Sequence, residues 1–256
     1  TQDQLQGKEK LADGTILTQY DEWYSTINTW PTKSWYRGQG AKLTDLLDAA
    51  GGLKPEATMI KFTSSDGYST AFELQEFIYK PHYRFPNFMA GGLQGHLPGD
   101  RADAVLVEPM LAHRSFSTHD IEDVGGGNTG GNFSSGDANL LIYGQRAVTQ
   151  QTNSRFAKNV VQIEILTSPV PKWDRPVAVP EPGEVQVGTM IRLNSLYNDE
   201  DKVHYTTDGS DPTILSPMYN WIASRWWSTR GDVLDEINRP VEITGNTVIK
   251  ALVTGP

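Results

Sequence analysis

Apolar positions change spacing several times along this chain, and each spacing predicts an element. In residues 41–50, Leu43, Leu46, Leu47 and Ala50 recur three and four apart, which predicts a helix stopped by Gly51-Gly52. Residues 58–63 alternate apolar with polar, the period of a half-buried strand. The turn Ser64-Ser65-Asp66-Gly67 should return the chain as a second strand over residues 68–72. Short helices are expected over residues 73–78 and 107–113, and strands over 138–143 and 160–166. Helices and strands mixed without a βαβ repeat predict an α+β first part.

The pattern shifts in residues 168–184, where five prolines remove amide donors and favour extended chain, as an interdomain linker does. From residue 185 onward, alternation over 190–193, 202–207 and 247–253, separated by Asn, Asp and Gly clusters, predicts a small β-sandwich. Residues 221–238 interrupt it, with one helix expected over 232–237. The expected organisation is thus a first domain over 1–167, a Pro-rich linker over 168–184 and a β-sandwich over 185–256.

Composition narrows the chemistry. The 256 residues include no cysteine, which removes disulfides, thiolate-ligated metals and thiol nucleophiles. A formal charge of −9, from 22 Lys+Arg against 31 Asp+Glu, argues against a general nucleic-acid binder. The charge is spread along the chain, so neither part is a basic arm or an acidic tail. No run of about 18 apolar residues spans a membrane. The polar first ten residues and the lack of cysteine are what a processed export product would show, so an extracellular or cell-surface location is expected.

The segment Val203-His204-Tyr205-Thr206-Thr207-Asp208-Gly209-Ser210-Asp211-Pro212-Thr213, followed by Ser216-Pro217-Met218-Tyr219, resembles the C-terminal immunoglobulin-like domain of chitobiases and β-hexosaminidases. Val241-Glu242-Ile243 and Thr247-Val248-Ile249-Lys250-Ala251 look like its closing strands. In the turn, Asp208 and Asp211 are placed to accept backbone hydrogen bonds, and Pro212 to end strand pairing. The insertion that follows carries Trp221, Trp226 and Trp227, which are either sugar-stacking platforms or packing residues. Calcium binding by Asp199, Glu200, Asp201, Asp208 and Asp211 lacks the spacing of a dedicated loop.

In the first part, Tyr24-Ser25-Thr26-Ile27-Asn28-Thr29-Trp30, residues 40–51, Phe62-Thr63-Ser64-Ser65-Asp66-Gly67-Tyr68, Tyr83-Arg84-Phe85-Pro86 and residues 143–153 together resemble the molybdopterin-binding fold of the sulfite oxidase family. The likeness is to a divergent form found in surface proteins of Gram-positive anaerobes. It implies an α+β sulfite-oxidase-like fold ahead of the immunoglobulin-like sandwich. Enzymes of that family hold molybdenum through a cysteine thiolate, which this chain lacks, so the resemblance implies a scaffold without its chemistry and without a cofactor.

Candidate ligand-binding residues are the polar cluster His82, Tyr83, Arg84, Gln145, Arg146, Gln151 and Asn153, suited to a small anion or polar ligand, or else to tying loops to the sheet. No histidine pair stands at metal-ligand spacing, and the glycine-rich stretch over 125–132 lacks the GK[ST] ending of a phosphate loop. No catalytic residue is assigned. The expected role is non-catalytic binding or scaffolding at the bacterial cell surface, with cell-wall glycan or another surface protein as partner and no nucleic acid. The rivals are a molybdopterin oxidoreductase with a non-cysteine ligand and a carbohydrate-binding module.

Overall fold

The computed structural model describes residues 1–28, 33–88, 100–119, 133–170, 172–173, 175–194, 201–220 and 240–254. Its first strands are β1 (Tyr20–Ile27), β2 (Lys33–Lys42), β3 (Met59–Ser64), β4 (Ser69–Glu73), β5 (His82–Arg84), β6 (Val105–Val107), β7 (Met110–Thr118), β8 (Leu140–Ile142) and β9 (Val160–Leu166). The later ones are β10 (Val177–Val179), β11 (Met190–Asn194), β12 (Lys202–Thr206), β13 (Val241–Glu242) and β14 (Lys250–Thr254). Among the described residues three α-helices accompany them: α1 (Gln2–Leu5), α2 (Leu43–Ala49) and α3 (Leu74–Phe77).

Among the described residues every strand-to-strand ladder is antiparallel. The largest sheet runs β1-β2-β7-β8, and a second runs β4-β3-β9. Tyr24, Phe62, Phe77, Met110, Leu141, Ile142 and Phe156 meet in one hydrophobic core between these elements. Close approach within the large sheet depends on Gly40 in β2. A Cβ there would run into the Leu111 carbonyl oxygen and sit 2.7 Å from Ala112 Cα of β7. Below 3.0 Å against backbone there is nothing flexible to give way.

The C-terminal strands form the sheets β10-β11-β13 and β12-β14 around their own core of Ile191, Leu193, Val203, Val241, Ile243 and Val253. That is the all-β, immunoglobulin-like arrangement expected there. Val177–Val179, inside the Pro-rich stretch, pairs with β11.

The first part departs from expectation. It is not α+β: α2 has seven residues, and α1 and α3 have four each. This predominance of antiparallel sheet overturns the sulfite-oxidase-like fold class, and with it the molybdopterin fold. Residues 107–113, expected as a helix, instead end β6 and open β7. Central strands with both faces covered read as continuous apolar runs, which short buried helices also do. Here Met110, Leu111 and Ala112 are all buried, packed into the hydrophobic core while β7 pairs with β2 and β8 on its two edges. The helix over 73–78 shrinks to the single turn of α3. The helix over 41–50 begins only at Leu43, since Ala41 and Lys42 complete the β2–β7 ladder.

Candidate functional site

The polar cluster predicted from sequence separates into two places. At the first, β5 and the segment after β8 run side by side: the Tyr83 amide donates to the Gln145 carbonyl at 2.8 Å, and the Gln145 amide to the Tyr83 carbonyl at 2.9 Å. This pairing draws His82 beside Gly144. The imidazole is buried, with Nδ1 2.8 Å from the Gly144 oxygen and Nε2 3.0 Å from the Phe77 oxygen. A neutral ring donates to one carbonyl only, while an imidazolium donates to both. Burial pushes the His82 pKa below the usual histidine value, against the upward pull of the two carbonyls.

Gln145 is fully buried and fully used. Its Oε1 accepts from the Ser25 hydroxyl at 2.6 Å, and its Nε2 donates to the carbonyls of Val148 at 3.2 Å and Gln150 at 2.8 Å. Ser25 in turn accepts from the Phe85 amide at 3.0 Å. Arg146 pairs with Glu76, and its amide donates to Gln150 Oε1 at 2.6 Å. Arg84 aligns with Val105 in the β5–β6 ladder. The bonds of Ser25 fasten β5 and the loop after β8 to β1, and Arg146 ties the same loop to α3, so the polar atoms of Gln145 are already committed, whereas Arg84 Nε is buried without a hydrogen-bond partner among the described residues. Gln151 is buried at the next turn of the chain, where Thr152 Oγ1 lies 2.6 Å from Thr26 Oγ1.

Asn153 goes elsewhere. It lines a cleft of about 220 Å³ with Asn28, Ser34, Tyr36, Ser117, Thr118 and His119. The cleft forms at the ends of β2 and β7, where Tyr36 lies opposite Ser117 and Trp35 opposite Thr118. Tyr36 Oη donates to Asn153 Oδ1 at 3.5 Å, the long limit for a hydrogen bond. His119 Nδ1 lies 2.9 Å from the Lys33 carbonyl oxygen, which makes Nδ1 the protonated nitrogen of the neutral ring and leaves Nε2 an acceptor. Sequence reasoning picked out only Asn153 of this lining. The missing signal was the pairing of β1 with β2: Gly38, Gly40 and the charged positions of β1 obscure the alternation that would have revealed both strands.

Trp221, Trp226 and Trp227 lie outside the described residues, as do His96, Asp199, Glu200 and the glycine-rich stretch 125–132. Among the described residues, no three His, Asp or Glu side chains gather as a metal site, and no helix is long and apolar enough to cross a membrane.

The C-terminal turn keeps most of its expected geometry. Asp208 Oδ1 accepts from the Ser210 amide at 2.9 Å and the Ser210 hydroxyl at 2.6 Å, while Gly209 takes a positive φ of 81°. Asp211 instead pairs with Lys250 of β14 at 2.7 Å. The segment after it returns along β12, with the Tyr205 amide donating to the Pro217 carbonyl and the Tyr219 amide to the Val203 carbonyl. Residues 180–256 match the family model of the chitobiase/beta-hexosaminidase C-terminal domain. The chain has no match among curated proteins or solved structures. The chitobiase-type module begins just after β10, so the strand that pairs with β11 on that side comes from outside the match.

Proposed function

We propose that this chain is a non-catalytic, carbohydrate-associated binding protein of the bacterial cell surface, with cell-wall glycan or a glycan-bearing surface protein as its partner. The match of residues 180–256 to a domain that accompanies chitobiases and β-hexosaminidases carries this reading. Two further features support it. The buried side chains of Ser25, His82 and Gln145 in the first part are held in structural hydrogen bonds rather than poised for reaction. The acidic surface disfavours polyanionic partners. Trp221, Trp226 and Trp227 are the proposed stacking residues, because an indole offers a broad apolar face to a sugar ring.

A glycan array probed with the wild-type chain and with a Trp221→Ala, Trp226→Ala, Trp227→Ala variant tests both parts. Binding to cell-wall-type glycans is expected, weakened at least tenfold in the variant. A blank array overturns the carbohydrate reading; equal profiles remove the tryptophans from it.

A further inference from the structure

We infer that β9 pairs edge to edge with the β9 of a second copy of this chain, antiparallel and centred on Ile163, giving a weak symmetric dimer. This contact is independent of carbohydrate binding and belongs to the sheet β4-β3-β9, not to the C-terminal module.

Among the described residues β9 is an outer strand of its sheet. Its free side follows from the hydrogen bonds of β3. The Ser64 amide donates to the Tyr68 carbonyl at 2.8 Å and the Leu74 amide to the Thr58 carbonyl at 2.9 Å, so the even-numbered residues of β3 turn to β4. Backbone groups alternate sides along a strand, so Met59, Lys61 and Thr63 turn to β9 and engage Leu166, Glu164 and Gln162. The amides and carbonyls of Ile163 and Ile165 therefore point away from β3 and meet no partner among the described residues. Such an edge is a template for another strand. Edges are commonly blocked by Pro, Lys or an unmatched charge, and β9 carries none of these. Its one charge, Glu164, already faces Lys61 at 3.5 Å. A bulge at its start skips Val161 and leaves Gln162 to Leu166 regular.

The side chains then select the occupant and the register. Val161 is 70% exposed and Ile165 39%, on either side of Ile163, which packs against the first core. Outward from Ile163 the strand complements itself. Antiparallel pairing with a second copy sets Ile163 opposite Ile163, Gln162 opposite Glu164 and Val161 opposite Ile165, each flanking pair occurring twice by symmetry. Each carboxylate then accepts from a carboxamide, and each exposed apolar side chain covers another. Because Ile163 turns outward, the central pair exchanges two backbone hydrogen bonds. Centring on Glu164 instead would set two carboxylates face to face. A seven-residue edge buries less than the roughly 1,600 Å² of a standard interface, so the dimer is weak, with a dissociation constant of about 10–500 µM.

Sedimentation equilibrium of the full chain from about 1 µM to about 1 mM tests this, with amide hydrogen exchange as a second readout. A monomer–dimer equilibrium is expected, and the amides of Ile163 and Ile165 should exchange more slowly as concentration rises. Gln162 is exposed, so changes there report on the contact and not on the fold. Gln162→Glu sets like charges opposite Glu164 at two symmetric positions and should weaken the dimer roughly twofold to thirtyfold. Gln162→Lys sets opposite charges there and should tighten it by a similar factor. Ile165→Lys, which places a charge on the edge, should leave a monomer at every concentration. A wild-type chain that stays monomeric throughout overturns the inference, as does a dimer that Ile165→Lys leaves intact. Gln162 variants that fail to move the equilibrium in opposite directions overturn it too, and so does a dimer in which the Ile163 and Ile165 amides still exchange freely. Neither readout involves glycan, so a blank array leaves this contact standing.

Discussion

Lys33 opens β2 with 5% of its surface exposed and no hydrogen-bond partner for its amine among the described residues. The Phe88 ring, 6.0 Å from Nζ, is its one favourable electrostatic contact there. Burial pushes its pKa down to about 8, whereas the unfolded chain holds the usual lysine value near 10.5. Between those two pH values the unfolded state binds more protons, so stability should rise as pH increases from about 8 and level off above 10.5. The full effect is about 3 kcal/mol. Urea unfolding from pH 7 to 10.5 should show this rise in the wild type and lose it in Lys33→Met, which should also be the more stable protein at pH 7. Parallel curves would show that the amine finds solvent or a partner. Gln145 makes the opposite case, a polar group fully satisfied. Gln145→Leu strands the Ser25 hydroxyl and the Val148 and Gln150 carbonyls, and should cost about 2–4 kcal/mol by chemical denaturation.

Strand pairing depends on positions where no side chain fits. Gly40→Ala would press a methyl group against the backbone of Leu111 and Ala112, forcing β2 and β7 apart at their bulge. A loss of more than about 3 kcal/mol, or no folded protein, is expected. Gly14→Ala is the control: nothing lies within 4 Å of its would-be Cβ, and only its positive φ is strained. Its cost, read by thermal unfolding, should stay near 1 kcal/mol. The elements that alternated cleanly were legible: β9 spans residues 160–166 as expected, and the β3–β4 hairpin turns at Gly67 with a φ of 91°. Strands β1, β2 and β7 were not. Their faces are set by what covers them, and buried pairs such as Ser25–Gln145 and Thr26–Thr152 place polar residues where a core pattern would show apolar ones.

At the scale of the molecule, two hydrophobic clusters share no described residue. Val203→Ala, at a fully buried position of the second, should destabilise its surroundings by about 2 kcal/mol. Hydrogen exchange should then accelerate across β11 and β12 and leave β3 and β9 unchanged; acceleration throughout would mean that both clusters unfold as one. The sequence by itself determined the C-terminal module, because its turn chemistry is local: Asp208, Gly209 and Ser210 close their loop within three residues. It also determined the excluded chemistries, since a missing cysteine needs no fold to interpret. Only the tertiary structure decided that the first part is built of antiparallel sheet, that His82, Arg146 and Gln145 serve as ties, and that Asn153 joins Ser34 and His119 at a cleft. Those outcomes depend on pairings across 60 to 120 residues of chain, and residues so far apart carry no shared period from which their contact can be read.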